Sequence, residues 1–302
     1  MIVRTLVTLA LILLLMLPAA TSFSRDGLAM MKVEAGARPA GMGGAFVSIL
    51  DDPNSSAYNP AGAAKTDRFI ATLGHNTYWE NTRIETAYIA TNFTRRTWFH
   101  AGLRYATVSD IERRSTTPTL EPEGLFDAQD VSFKGGLSAS LTDKIYVGAA
   151  IGWFVQKIDV LRGSAFNVDL GAIYRPDERL SFGGSITNLG SDFSLSLSGQ
   201  PGTEDISLPT TYRVGTSYQY SERYLGTADL VVLDGETHPH LGAEAWLHKL
   251  AAVRAGYMFN YDSKNFTAGA SFVQRNFQID YAFVPYSNNL GTSHLFNLTV
   301  II

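Results

Sequence analysis

Apolar and polar residues alternate along most of this chain downstream of residue 68. Between Val131 and Leu141 the odd positions are mostly apolar, and the even positions are serine, lysine or glycine. The same alternation recurs at 166–174, 251–259 and 277–283. Successive side chains of a β-strand point to opposite faces, so each segment predicts a strand with one apolar and one polar face.

Segments of this kind number about fourteen. Most are roughly ten residues long, which is the length that a tilted strand needs to cross a membrane. The predicted strands cover residues 68–79, 82–93, 97–107, 128–141, 144–156, 164–174, 180–188, 207–219, 224–233, 238–247, 250–260, 265–273, 277–284 and 293–302.

The connections between these strands alternate between short polar turns and a second set that contains the longer loops. The short turns lie at 94–96, 142–143, 175–179, 220–223, 248–249 and 274–276. The second set lies at 80–81, 108–127, 157–163, 189–206, 234–237, 261–264 and 285–292. Outer-membrane barrels have short periplasmic turns and longer external loops. The chain is therefore predicted to be an all-β protein, a transmembrane antiparallel β-barrel of about fourteen strands with both termini on the turn side.

A soluble β-sandwich or a secreted up-and-down barrel would show the same alternation, because one face of each strand would still be buried. The number of consecutive hairpins and the unequal connections favour the membrane barrel. Aromatic residues near the predicted strand ends also favour it, because interfacial girdles lie there. These aromatics are Trp79, Trp98, Trp153, Tyr174, Tyr212, Tyr220, Tyr224, Tyr261 and Tyr286.

The N-terminus has the pattern of an export signal. Arg4 precedes an apolar run at 6–17, and small residues follow at 19–20. The run is short of the roughly 20 residues of a membrane-spanning helix, which is the alternative interpretation. Residues 1–22 are therefore predicted to be a cleaved signal peptide, and the mature protein is expected in the cell outer membrane.

Composition excludes several classes of function. The chain is 45% hydrophobic and 17% charged, with a net charge of −4 and no basic run, which argues against nucleic acid as a partner. It contains no cysteine, so disulfides and thiolate metal sites are excluded.

Residues 23–67 precede the barrel (68–302) and are irregular, with several glycines and prolines between 38 and 62. Glycine permits close approach of other backbone, and proline interrupts regular ladders. A barrel of this size has a lumen that side chains alone need not fill. The segment is predicted to fold into that lumen as a hatch or plug. A flexible periplasmic tail is the alternative, which the apolar residues at 45–50 disfavour.

The stretch Ala37–Ala45, followed by Asp51-Asp52 and by Asn59–Gly62, resembles the N-terminal signature of the PorV/PorQ family of outer-membrane proteins, a branch of the FadL-like barrel superfamily. The resemblance implies a fourteen-stranded barrel with an N-terminal hatch. The structural positions of that hatch would be Gly41, Gly43, Gly44, Asp51, Asp52, Asn59, Pro60 and Gly62.

The resemblance implies one of two functions, neither of them enzymatic. A PorV/PorQ-like protein would be an accessory of protein export, in the manner of type IX secretion, and would bind secreted cargo or secretion components at external loops such as 108–127 and 189–206. A FadL-like protein would instead pass hydrophobic small molecules through the barrel. The export role is the first hypothesis and passive transport the alternative. Outer-membrane lipid is a partner under both.

Charged side chains on the polar face of the strands are predicted to point into the lumen. A polar pathway or plug latch is one interpretation, and an electrostatic network that holds the lumen together is the other. These residues are His100, Arg104, Lys134, Asp169, Arg213, Asp229, Glu244, Arg254 and Asp280.

Catalysis and metal binding find little support in the sequence. No Gly-x-Ser-x-Gly nucleophile motif occurs. His238 and His240 could form a metal pair, but only Glu236 or Glu244 is near enough in sequence to add a third ligand. The prediction is no catalytic residue, no metal site and no cofactor.

Overall fold

The computed structural model describes residues 28–50, 52–66, 68–78, 82–116, 120–197, 202 and 204–302. Fourteen antiparallel strands form a closed barrel in chain order, and the last strand pairs with the first. The fourteen-stranded barrel is therefore confirmed. The predicted signal peptide, Asp51 and Trp79 lie outside the described residues.

The barrel strands follow one another with few irregularities. They are β1 (Ile70–Thr77), β2 (Thr82–Thr94), β3 (Thr97–Arg113), β4 (Gly124–Thr142), β5 (Ile145–Ile158), β6 (Leu161–Tyr174), β7 (Leu180–Gly190), β10 (Thr211–Ser221), β11 (Tyr224–Leu233), β12 (Glu236–His248), β13 (Ala251–Met258), β14 (Phe266–Gln274), β15 (Phe277–Pro285) and β16 (Thr292–Ile301). Between β7 and β10, a separate two-stranded sheet pairs β8 (Phe193–Ser194) with β9 (Asp205–Ile206).

The six short connections lie at 95–96, 143–144, 175–179, 222–223, 249–250 and 275–276, and we call that rim the turn end. The opposite rim, with the connections 78–81, 114–123, 159–160, 191–210, 234–235, 259–265 and 286–291, is the loop end. The pairing of Ile70 with Ile301 puts the start and the finish of the barrel at the turn end.

Two predicted loops are wrong in extent. The loop predicted at 108–127 is only 114–123, because β3 and β4 continue past a bulge at which Asp110 has a φ of 62°. That extra residue shifts the side-chain period, so the alternation stops in the sequence although pairing resumes. The loop predicted at 189–206 lies at 191–210 and contains the β8–β9 sheet.

The outer wall of the barrel is apolar and its inner wall is polar, the reverse of a soluble barrel. Leu73 and Ile151 point outward and are 61% and 68% exposed, and similar residues cover most strands. Such a band fits contact with lipid, and the chain is an outer-membrane β-barrel. Trp98 is an exception to the predicted girdle, because it points inward and its indole nitrogen donates to the Thr66 carbonyl at 3.0 Å.

Residues 28–66 lie inside the barrel, and we call them the luminal segment. They form two short helices, α1 (Ala29–Lys32) and α2 (Ala37–Gly41), and two 3-10 turns, Pro53–Ala57 and Pro60–Ala63. Each 3-10 turn begins with a capping Asp or Asn side chain followed by proline, which is a favoured start because proline lacks the unneeded N–H. Among the described residues, no helix is long and apolar enough to cross a membrane.

Candidate functional site in the barrel lumen

The luminal segment spans the barrel interior from rim to rim. Its last residues lie at the turn end, where Ala61 and Ala64 pack against Tyr146 and Ile173. Its first described residue, Leu28, lies in an apolar cluster at the loop end. A molecule that crosses the lumen therefore meets this segment.

Two glycines of the predicted hatch motif, Gly41 and Gly43, lie against the backbone of β12–β14, and a third, Gly44, lies against the His240 side chain. Gly43 and Gly44 have φ angles of 63° and 70°, which favour glycine. A Cβ on Gly256 of β13 would collide with the backbone nitrogen of Gly43, and a Cβ on Gly41 would lie 3.1 Å from the Gly269 Cα. The segment and the wall therefore meet backbone to backbone.

The remaining described motif residues cap or build the two 3-10 turns. The Asn59 carboxamide accepts from the Ala61 N–H at 3.0 Å and donates to the Val47 carbonyl at 2.8 Å. Asp52 caps the first turn through Asn54, and Pro60 opens the second. Gly62 is fully enclosed, since a Cβ there would lie 2.5 Å from the Ser55 Cβ.

A charged network links the luminal segment to the wall in the turn-end half. Arg38 makes a bidentate pair with Glu244, at 2.9 Å for each bond, and also contacts Asp52 at 2.8 Å. Arg254 contacts Glu244 at 2.6 Å and Asp280 at 3.1 Å. All five side chains are largely buried, and each charge faces an opposite one, which offsets the cost of removing it from water.

Asp229 of β11 holds the middle of the luminal segment. One of its carboxylate oxygens accepts from the Phe46 N–H at 2.7 Å and from the Val47 N–H at 2.9 Å. These backbone groups have no water around them, because both residues are fully buried. The carboxylate therefore replaces the partners that these two amides would have in a strand.

A narrow cavity lies between the luminal segment and the wall on the loop-end side of this network. Its volume is about 70 Å³, which is room for about five water molecules. Its lining combines apolar and aromatic side chains with cations, including Val33, Tyr58, Tyr88, Arg104, Lys134 and Arg213.

Three cations of the barrel wall line this cavity. Lys134 is paired with the buried Asp169 at 2.6 Å and also donates to Asn188. Arg104 donates to two backbone carbonyls of the luminal segment, those of Met30 and Val33. Arg213 lies over the Tyr58 ring at 5.4 Å. The buried Nε atoms of both arginines have no hydrogen-bond partner among the described residues.

Two ion pairs fix the beginning of the luminal segment to the loop end. Lys32 contacts Asp234 at 2.5 Å, and Glu34 contacts Lys264 at 2.6 Å. Lys264 also lies over the Tyr261 ring at 4.7 Å. Burial raises the pKa of Glu34, but the Lys264 ammonium outweighs it and holds that pKa below the ordinary value. Burial lowers the pKa of Lys264, but Glu34 raises it above the ordinary value.

The long connection at 191–210 folds back into the barrel mouth. Phe193 and Leu208 pack with Leu28 and Met30 of the luminal segment and with Phe154 of the wall. Backbone hydrogen bonds between Arg162 and Ser196 tie the connection to β6. This connection, its β8–β9 sheet and the start of the luminal segment together close the mouth above the cavity.

The structure places all nine charged residues predicted for the lumen on the inner wall, but in separate groups. Glu244, Arg254 and Asp280 join the turn-end network, Asp229 binds the segment, and the other five lie at or beside the cavity. Sequence reasoning missed Arg38, Glu34, Lys264 and Asn188. The one available signal was the presence of Glu34 and Arg38 as charges in a segment of small and apolar residues.

The two histidines considered as a metal pair are both buried on the inner wall. The His238 ring stacks on Tyr261 with ring centres 3.9 Å apart, and His240 Nε2 lies 3.1 Å from the Tyr261 hydroxyl. Among the described residues, no three His, Cys, Asp or Glu side chains are grouped to hold a metal ion.

Comparison with known proteins identifies the fold. No protein-family profile matches the sequence, and a search of curated proteins finds no relative. Solved structures do match. The Pseudomonas putida toluene transporter TodX superposes with a TM-score of 0.64 at 13% identity, covering 89% of this chain and 98% of TodX. The fold is that of a FadL-type barrel.

Two further structures agree with this assignment. A TodX monoaromatic hydrocarbon channel lacking S2 and S3 gives a TM-score of 0.66 at 13% identity, over 88% of this chain and 97% of the other. A Pseudomonas aeruginosa FadL homologue superposes with a TM-score of 0.58 at 13% identity, over 88% of this chain and 98% of the homologue. None of the three is named as a PorV or PorQ protein, so the comparisons support the FadL-type fold and do not support the PorV/PorQ branch.

Proposed function

We propose that the chain is a passive conduit for hydrophobic small molecules, and that the luminal segment is its hatch. The observation that carries the proposal is the small cavity enclosed between this segment and the wall, in a barrel with the FadL-type fold. This was the alternative interpretation of the sequence. Two of the similar structures are named for a monoaromatic hydrocarbon channel and a toluene transporter, which is consistent with it.

The chemistry of the cavity suggests the kind of molecule that is carried. Tyr58, Tyr88 and Val231 offer apolar surface, while Arg104 and Arg213 present guanidinium nitrogens without partners among the described residues. A buried donor without an acceptor is costly, so a ligand that supplies an acceptor gains affinity. An amphiphile fits this cavity if its apolar body contacts the tyrosine and valine side chains and its other end, which is anionic or a strong hydrogen-bond acceptor, contacts the two arginines.

Passage requires the luminal segment to move, because room for about five water molecules does not admit such a ligand. Ion pairs and hydrogen bonds join the segment to the wall beside its apolar contacts, and these polar contacts can exchange with water when a ligand displaces them. The export hypothesis is weaker, since the described part of the 191–210 connection folds back into the mouth and presents no extended apolar docking surface.

The test uses the absence of native cysteine. Glu34→Cys with Lys264→Cys, joined by a cleavable bis-maleimide, would fix the segment to the loop end. We expect uptake of a radiolabelled medium-chain fatty acid by cells that depend on this protein to fall on cross-linking and to recover after cleavage. The Glu34→Cys single variant, treated identically, is the control. Unchanged uptake in the cross-linked protein would refute the conduit, and stoichiometric exported proteins bound to the native barrel would favour the accessory.

A further inference from the structure

The two rims of the barrel carry opposite charge. The six connections of the turn end contain eight Arg and Lys against four Asp and Glu. The seven connections of the loop end contain nine Asp and Glu against two Arg and Lys. We call the turn-end cations the basic collar: Arg95, Arg96, Lys144, Arg175, Arg179, Arg223, Lys249 and Arg275.

The basic collar surrounds the whole rim, because each of the six turns contributes at least one member. Seven members are exposed and Arg175 is half-buried. Among the described residues the collar makes one ion pair, between Arg96 and Asp143 at 3.7 Å, and both of those side chains are mostly exposed. A pair of this kind is weak in water, so most of the positive charge is available to a partner.

The collar lies directly next to the lipid-facing band. The outward residues closest to five of the turns are large and exposed: Phe93, Leu141, Tyr224, Leu247 and Phe277. The turns beside these residues therefore lie at the depth of the lipid headgroups on that side of the membrane. Long basic side chains at such a boundary extend along the apolar surface and place their charge among the headgroups.

We propose that the basic collar binds anionic phospholipid headgroups of the leaflet at the turn end. A ring of cations at one depth, distributed around the circumference, matches a continuous annulus of lipid. A soluble acidic protein would need a contiguous surface on the rim. The collar instead consists of turns of two to five residues spread around the opening.

This assignment also gives the barrel a fixed polarity in the membrane. Anionic headgroups attract the turn end, while the acidic loop end is repelled by the same charge. The attraction acts within about 10 Å at 0.1 M salt, so it is confined to headgroups beside the rim and weakens as salt rises.

The test compares charge removal at the two ends of the folded barrel. The collar variant carries Arg96→Gln, Arg179→Gln, Arg223→Gln and Arg275→Gln. The control removes the same charge from the loop-end half, as Arg113→Gln, Arg114→Gln, Lys157→Gln and Arg162→Gln. Each protein is reconstituted in vesicles of equal phosphatidylethanolamine and phosphatidylglycerol, extracted in mild detergent, and examined by native mass spectrometry. A heat-dependent gel shift confirms that each variant is folded.

We expect wild type and the control to retain phosphatidylglycerol at least about fivefold over phosphatidylethanolamine. The collar variant should lose most of that preference, and 0.5 M salt should reduce it in wild type. The proposal would be overturned if wild type retained the two lipids without preference. It would also be overturned if the control lost the preference as much as the collar variant, or if the collar variant kept the wild-type preference. It would also be overturned if the native barrel held an acidic periplasmic protein through the collar without enrichment of anionic lipid.

Discussion

Glu34→Gln tests whether the pair of Glu34 with Lys264 holds the luminal segment closed. The substitution keeps the side-chain volume but leaves the Lys264 ammonium without its counter-charge. Both side chains are about nine-tenths buried. Removing one partner of a buried pair costs about 3–5 kcal/mol. The chain can relieve this cost by detaching the segment from the loop end, so we expect the opening equilibrium to rise by at least about 100-fold, since 1.4 kcal/mol is a factor of ten.

Hydrogen exchange of single amides measures that equilibrium in the folded barrel. The N–H groups of Ala37, Gly43 and Phe46 donate to Asn297, Thr267 and Asp229 of the barrel wall respectively, so these bonds break when the segment detaches from the wall. We expect these three amides to exchange at least about 100-fold faster in Glu34→Gln, while amides of the barrel strands keep the wild-type rate.

Two further variants make the result interpretable. In Glu34→Gln with Lys264→Gln neither charge of this pair remains, so exchange should return most of the way to wild type. Glu85→Gln changes a carboxylate on the outer wall that lies 2.7 Å from His75 Nδ1; both side chains are about half exposed, so the substitution should have no effect. The reasoning is refuted if the Glu34→Gln amides exchange within twofold of wild type, or if the double variant is as fast as the single one.

Three other predictions concern the same segment. Gly256→Ala should destabilise the packing of the luminal segment by about 1–3 kcal/mol, because the added methyl group collides with the Gly43 backbone. Gly226→Ala, whose methyl group would face open space, should be neutral, and equal thermal midpoints for the two variants would contradict the contact between Gly256 and Gly43. Asp229→Ala should cost about 2 kcal/mol or more, because two buried N–H groups lose their acceptor, and unchanged exchange at those amides would count against this. Because the pKa of Glu34 is lowered in the folded protein, its ion pair stabilises the protein at pH values above 4.5, the ordinary pKa of this carboxyl group. This stabilisation is lost as the pH falls through the pKa of Glu34 in the folded state. Segment opening, corrected for intrinsic exchange, should therefore increase below about pH 4.5 in wild type but not in Glu34→Gln; a parallel rise in both proteins would exclude Glu34 as the cause.

The barrel was largely predictable because its determinants are local. Period-two alternation assigns each residue to a face, and each strand pairs with its neighbour in sequence, apart from the closing pair and the β7–β10 pair. The errors arise where this locality fails. The bulge at Asp110 shifts the period. Trp98 was expected in the girdle, but it lies on the same face of β3 as His100 and therefore points into the lumen, where its N–H donates to the Thr66 carbonyl.

The interior could not be predicted to the same degree. The alternation of side chains along each strand identifies which charged residues face the lumen, but it does not say which of them contact one another. The partners of the luminal segment lie far along the chain: Glu34 meets Lys264, and Arg38 meets Glu244. No local pattern encodes such contacts, and a single sequence provides no covariation that would reveal them.

Asn297 has a consequence for the order of assembly. This side chain on β16 accepts from the Ala37 N–H of the luminal segment and donates to the Thr72 hydroxyl on β1. The seam between the last and the first strand therefore includes a third participant from the N-terminus. A barrel that closes around a seated segment forms all of these bonds in one event. In that order of events, the segment would serve as a template on which the closing strand β16 finds its register.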